Sequence, residues 1–234
     1  MTDESVASRL TELGVSRITH FTSSRNLPRI LGSGQILSTA ALRSSNAIFD
    51  VTDQERWDGH PELICCNIDY PNFYYFAKAT QKENAINYSD WAVLLLDPAV
   101  ATQDGTLFAP GNAAKNGGAD LVAGVVGLDR MYASPVYGWR RASSHRQASP
   151  TDVQAEVLIP GPIDNSAVIG IVMPDESSFR REVGRLEQVG QDPHPFNWYV
   201  SPGLFRRESI VAAVRNNQAI SAEGPCETMQ QEEQ

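Results

Sequence analysis

Cysteine is scarce: there are 3 in 234 residues, with Cys65 and Cys66 adjacent and Cys226 near the end. That number and spacing build neither a disulfide framework nor a zinc site, which points to a reducing cytosol. Long apolar runs are missing as well. No stretch approaches the roughly 20 residues needed to cross a bilayer, so no membrane role is expected. The acidic opening Met1-Thr2-Asp3-Glu4 has no signal-peptide core. Basic residues are outnumbered, 19 Lys and Arg against 28 Asp and Glu, for a formal net charge of -9. This excludes a surface coated uniformly in positive charge for duplex binding.

What remains is an ordinary globular composition, 41% apolar and 20% charged, in a chain long enough for one sizeable core. The sign of the charge is unevenly spread. Arg140, Arg141, His145 and Arg146 fall in one loop, whereas the chain after Ala219 carries Glu223, Glu227, Glu232 and Glu233 and no Lys or Arg. A local basic groove is therefore compatible with the acidic total.

Periodicity predicts helices over 4–14, 24–31, 122–131, 176–189 and 208–215, and another after Pro71 carrying Phe73, Tyr74, Phe76 and Ala77. Strands are predicted at 18–22, 36–38, 62–69, 91–97, 153–160, 167–173 and 196–200. Of these, Ala92-Val93-Leu94-Leu95-Leu96 is the clearest, a continuous buried run between Asp90 and Pro98. Residues 43–61 and 112–118 read as loops. Short strands separated by long irregular loops indicate an α+β domain over 1–218, with the function in its loops and a disordered acidic tail over 219–234.

Four features carry possible chemistry. Val153-Gln154-Ala155-Glu156-Val157-Leu158-Ile159-Pro160 holds one carboxylate in an aliphatic run. Alternation puts Ala155, Val157 and Ile159 on one face and Gln154, Glu156 and Leu158 on the other. Taken alone, Glu156 reads as the solvent-facing residue of a half-buried strand. His20, among small hydroxyls, is either a satisfied structural histidine or a donor to a ribose hydroxyl. Arg56, in Arg56-Trp57-Asp58-Gly59-His60, is either a surface side chain paired with Asp58 or a guanidinium held against phosphate. The loop over 132–152 is either solvated with incidental aromatics, or a surface whose Tyr137 and Trp139 stack bases while its arginines track a backbone.

These stretches together carry a resemblance. Ile18-Thr19-His20-Phe21-Thr22, Asn26-Leu27-Pro28-Arg29-Ile30-Leu31 and Gly34-Gln35-Ile36-Leu37-Ser38 look like the opening of DarT-type DNA ADP-ribosyltransferases. Ala155-Glu156-Val157-Leu158-Ile159-Pro160 is similar to that family's catalytic-glutamate strand. Arg56-Trp57-Asp58-Gly59-His60-Pro61 with Tyr70-Pro71-Asn72 resembles the guanosine-modifying branch rather than the thymidine branch. The resemblance covers about 17–201.

It implies an ADP-ribosyltransferase (PARP-like) fold, with a split β core clamping NAD as co-substrate and no metal. His20 would contact ribose and the Phe21 backbone the nicotinamide carboxamide, with Thr22, Asn26, Gly34, Leu37, Ser38 and Tyr75 beside them. Arg56 would steady the phosphates and assist transfer, and Glu156 would be the catalytic carboxylate. Tyr137, Trp139, Arg140, Arg141, His145 and Arg146 would meet DNA. The expected partners are single-stranded DNA and an antitoxin of the ADP-ribosyl hydrolase type, with the enzyme itself a monomer. Transfer to thymine, RNA or protein stays open, as does a catalytically silent binding module.

Overall fold

The computed structural model describes residues 2–45, 55–74, 91–220 and 222–226. Helix α1 (Glu4–Glu12) begins where the Asp3 carboxylate accepts the amide hydrogens of Ser5 and Val6, and it buries Val6 and Leu10. Strand β1 (Ile18–Ser23) leads through one 3-10 turn into α2 (Leu27–Ser33), which ends at Gly34 in the left-handed region, φ 74°. After β2 (Gln35–Ile36), the Ser38 hydroxyl caps α3 (Thr39–Ser44), so the extended run expected to reach Ser38 turns helical just beyond it. Next come β3 (Leu63–Ile68), β4 (Trp91–Leu96), β5 (Leu107–Ala109), β6 (Val122–Ala123) and α4 (Gly124–Tyr132). The chain continues through β7 (Glu156–Pro160), β8 (Ile163–Asp164), β9 (Val168–Met173), α5 (Glu176–Gln188), β10 (Trp198–Val200), α6 (Arg207–Asn216) and β11 (Glu223–Cys226).

Among the described residues, nine strands form one sheet in the order β11-β10-β9-β4-β1-β3-β7-β5-β6, and β2 pairs with β8 apart from it. Both faces of the sheet are covered. Ala92, Leu94 and Leu96 of β4 enter the large core with α1, α2 and α5, while Val93 packs on the other side with Ile210, Ala213 and Val214 of α6. That two-sided burial is why β4 reads as a continuous apolar run rather than an alternating one.

The join that matters for function lies between β1 and β3. They pair only through Ile18–Ile68 and Thr19–Asn67, whereas β1 pairs with β4 along its whole length. From His20 onward β1 and β3 are therefore no longer laddered together, and the sheet splits into two halves. The expected split core is present.

One expectation is corrected at the C-terminus. Glu223–Cys226 is not a disordered tail but an edge strand, pairing Cys226 with Trp198 and Glu223 with Val200. Its backbone groups are satisfied by the ladder rather than by any apolar side-chain pattern, so composition alone missed it. The remaining acidic tail, Tyr75 and the helix expected beyond Tyr74 lie outside the described residues. No helix among the described residues is long and apolar enough to cross a membrane.

Candidate active site

A cleft of about 480 Å³ opens where the sheet splits, lined on one side by His20, Phe21 and Thr22 of β1 and on the other by Leu63, Cys65 and Asn67 of β3. Its size is in the range of small-molecule sites. Glu156 stands at its edge on β7, and alternation holds as expected: Val157 and Ile159 enter the main core, while Leu158, on the face of Glu156, packs with Leu63, Ala109 and Ala113. The simple reading of Glu156 as solvent-facing is overturned, since it is 9% exposed.

A buried carboxylate needs donors, and Glu156 has them. Asn72 Nδ2 donates to Oε1 at 2.7 Å and Asn112 Nδ2 to the same oxygen at 3.4 Å, while the Ala113 amide donates to Oε2 at 2.9 Å. Asn67 ties this arrangement together. Its Nδ2 donates to the Ala155 carbonyl at 2.8 Å and its Oδ1 accepts the Asn72 amide at 3.0 Å. One side chain thus positions both the strand before Glu156 and the residue that holds its carboxylate. Asn67, Asn112 and Ala113 were not singled out in sequence. Asn72 stands in the Tyr70-Pro71-Asn72 motif, and nothing in the 112–118 loop distinguishes Asn112 or Ala113 by pattern.

Arg56 is neither a surface arginine nor aimed at solvent. It is 7% exposed, with φ 42°, and its guanidinium grips Asp58 through Nε (2.9 Å) and Nη2 (3.2 Å). Nη1 donates to the Leu63 carbonyl at 2.9 Å and Nη2 also to the His60 carbonyl. Both Arg56 and Asp58 line the cleft, so this positive group is preorganised there. The asparagine-rich loop packs on the same turn: a Cβ on Gly118 (φ +83°) would lie 2.3 Å from the Asp58 carbonyl oxygen. The loop that donates to Glu156 therefore also braces Arg56.

His20 Nδ1 lies 2.9 Å from the Cys65 carbonyl. A carbonyl only accepts, so Nδ1 carries the hydrogen. Burial lowers the ring's pKa, which keeps it neutral and leaves Nε2 as an acceptor. The ring therefore presents an acceptor to the cleft rather than the expected donor. Phe21, Thr22, Asn26, Leu37 and Ser38 all line the cleft; Asn26 Nδ2 donates to Thr22 Oγ1 at 3.0 Å. Gly34 is not among the lining residues. It ends α2, and its carbonyl accepts the Asn165 amide at 2.8 Å. Burial pushes the Cys65 thiol well up, so it is no nucleophile at neutral pH. Among the described residues no group of His, Cys, Asp or Glu is arranged to hold a metal.

The 132–152 loop divides its residues between two tasks. Arg141 turns inward and donates to the carbonyls of Ser149 (2.8 Å), Arg146 (3.1 Å) and Gln147 (3.3 Å). Arg146 Nε donates to Asp69 at 2.7 Å, and His145 Nε2 lies 3.0 Å from the Pro150 carbonyl. These three, expected to contact DNA, are half-buried and hold the loop in shape, Arg141 and His145 against its own backbone carbonyls and Arg146 against Asp69. Tyr137, Trp139 and Arg140 face outward. Tyr137 donates its hydroxyl to Asp120 and carries the Lys115 ammonium on its ring.

A family model described as ssDNA thymidine ADP-ribosyltransferase, DarT, matches residues 19–202. The chain belongs to the DarT family. Thermus sp. 2.9 DarT in complex with ADP-ribosylated ssDNA superposes with a TM-score of 0.55 at 13% identity, over 82% of this chain and 97% of that one. The same protein in complex with NAD+ gives 0.51 at 14% identity, over 82% and 98%. Thermosipho africanus DarTG in complex with ADP-ribose gives 0.53 at 16% identity over 81% of this chain, which spans about half (51%) of that longer one. No curated protein matches by sequence. The DarT-like ADP-ribosyltransferase fold, an α+β architecture around a large mixed sheet, accounts for the split sheet and its cleft.

Proposed function

We propose that this DarT-family chain transfers ADP-ribose from NAD to a base in single-stranded DNA, releasing nicotinamide. The observation that carries this reading is the caged carboxylate of Glu156 at the edge of a cleft whose other wall presents neutral His20. Cleavage of the nicotinamide–ribose bond leaves positive, oxocarbenium-like character on the sugar, and a fixed carboxylate stabilises it without reorganising. His20 Nε2 accepts a ribose hydroxyl. Arg56 acts as a positioning charge, its fork held by Asp58. The new bond forms between the sugar's anomeric carbon and a base nitrogen, whose proton passes to Glu156. A base within a duplex cannot approach that carbon, so the acceptor is unpaired or extruded. The partner that reverses the reaction would be an ADP-ribosyl hydrolase antitoxin.

The base we propose is guanine, on the strength of Arg56-Trp57-Asp58-Gly59-His60-Pro61 and Tyr70-Pro71-Asn72. Thymine is the second reading, favoured by the description of the matching family. Mass measurement after incubation with NAD, on one strand with a single guanine and no thymine and another with a single thymine and no guanine, separates them. An adduct of ADP-ribose on the guanine strand alone is expected; one on the thymine strand alone moves the chain to the other branch. Glu156→Ala should lower transfer by about 10²–10³, and a folded variant with full activity would sink the assignment.

A further inference from the structure

A second, smaller pocket of about 170 Å³ lies between the 132–152 loop and the C-terminal end of α6, walled by Trp139, Arg140, Ser144, His145, Thr151 and Arg215. We propose that it holds a backbone phosphate of the single-stranded DNA within a few nucleotides of the target base. This rests on the reading of the main cleft as a DNA-modifying site.

The charge argument comes from what each arginine of this corner does. Arg141 and Arg146 are consumed in holding the loop. Arg215 has no hydrogen bond or ion pair from its guanidinium among the described residues; it lies over the Trp139 ring, 4.1 Å from the centroid. Arg140, exposed beside it, has none either. No carboxylate lines the pocket. Asp152, next to Thr151 in the chain, is buried; burial raises its pKa, while the charges of Lys115 and Arg215 act in the opposite direction. In a chain of net charge -9, two guanidinium groups that face one cavity with no hydrogen-bonded carboxylate among the described residues make a local anion site. His145, held to Pro150 and lowered in pKa by burial, adds a wall rather than charge.

Arg215 is also fixed in place. The Ser144 hydroxyl donates to its carbonyl at 3.0 Å, and the Arg146 amide donates to the Val214 carbonyl at 2.8 Å. The last turn of α6 is thereby docked on the loop. Trp139 keeps 40% exposure under the guanidinium, enough to stack a base next to the bound phosphate. The spacing suits a strand that continues into the cleft. Thr151 lines this pocket and Gln154 lines the cleft. Three residues of extended chain span at most about 10 Å, so one strand a few nucleotides long can reach both the pocket and the cleft. At about 170 Å³ against 480 Å³, the pocket suits a phosphate and not a second dinucleotide.

The test uses full-length Glu156→Ala protein, so that no turnover intervenes, and labelled single-stranded DNA of about a dozen nucleotides containing the target base. Arg215→Gln in that background should weaken binding about tenfold, as expected when one charge-assisted hydrogen bond to phosphate is removed. The slope of log affinity against log salt should shrink by about 0.7, the value for one phosphate on a single strand. Arg215→Lys should keep the slope. Arg140→Gln, at an exposed position whose side chain holds nothing else in place, should show the same direction if Arg215→Gln fails to fold. Unchanged affinity and slope in both Gln variants would overturn the pocket. So would an equal weakening on RNA but none on DNA. If the unmutated chain modifies no single-stranded DNA at all, it is the reading of the main cleft that fails.

Discussion

Asn72 Nδ2 lies 2.7 Å from Glu156 Oε1, across 84 positions of sequence, and the Asn72 amide is itself pinned by Asn67 Oδ1 at 3.0 Å. The orientation of the carboxylate is thus set in part by a residue that does not itself line the cleft, alongside Asn112 and the Ala113 amide. Asn72→Leu should leave NAD affinity near wild type and lower the single-turnover transfer rate about 10- to 100-fold, the worth of a hydrogen bond to a charged group. Rapid-quench kinetics with a circular-dichroism check on folding measure it. A rate within about twofold of wild type, well short of that worth, would remove Asn72 from the positioning role.

Asp58 should prove more important for stability than its surface-like sequence context suggests. The Arg56 and Asp58 side chains are 5% and 4% exposed. Asp58→Ala leaves a buried guanidinium without the Asp58 counter-charge, a loss of about 3–5 kcal/mol for such a broken pair. Urea unfolding should show a clear drop in midpoint. A shift below about 1 kcal/mol, the range of an exposed pair, would show that solvent or backbone carbonyls suffice for Arg56.

Gly117 and Gly118 offer a controlled comparison. Both have positive φ, 62° and 83°, but a Cβ meets nothing within 4 Å at Gly117 and the Asp58 carbonyl oxygen at 2.3 Å at Gly118. Gly117→Ala should lose only the left-handed backbone penalty, about 1–2 kcal/mol. Gly118→Ala should lose more and also raise KM for NAD, because the Arg56 turn must move. Thermal unfolding and NAD titration of the two variants test this; equal losses in both measurements would contradict the bracing of Arg56 by the loop.

Two histidines set an acid limit. Burial lowers the pKa of His20 below its ordinary value of 6.5, and burial followed by the nearby Arg141 lowers that of His145. Below about pH 6.5 the unfolded chain binds these protons first, so stability present above that pH is lost as pH falls through the folded-state values. Protonation also turns His20 Nε2 from acceptor to donor. Denaturant midpoints measured from about pH 7.5 to 5, the span in which histidine titrates, should fall, and fall less steeply in His20→Gln. An identical pH slope in that variant would place the titration elsewhere.

Much of the local architecture is determined by the sequence itself. The unbroken Ala92-Val93-Leu94-Leu95-Leu96 run forms a strand because it is buried on both faces. Asp3 and Gly34 bound their helices through capping and a left-handed turn, and alternation assigns Glu156 and Leu158 to one face of β7. These are properties of neighbours along the chain, and so are the motifs that resemble the DarT family. Whether the face of Glu156 would be covered, and by what, was decided only in three dimensions. Its donors come from Asn72 and Ala113, 84 and 43 positions away, and no period encodes contacts at such separations. The arginines of the 132–152 loop make the same point. Arg140, Arg141 and Arg146 are alike in sequence, yet Arg141 and Arg146 are drawn inward by carbonyls and Asp69 that must be satisfied. Arg140 is left outside, beside an Arg215 that arrives from the far end of the chain.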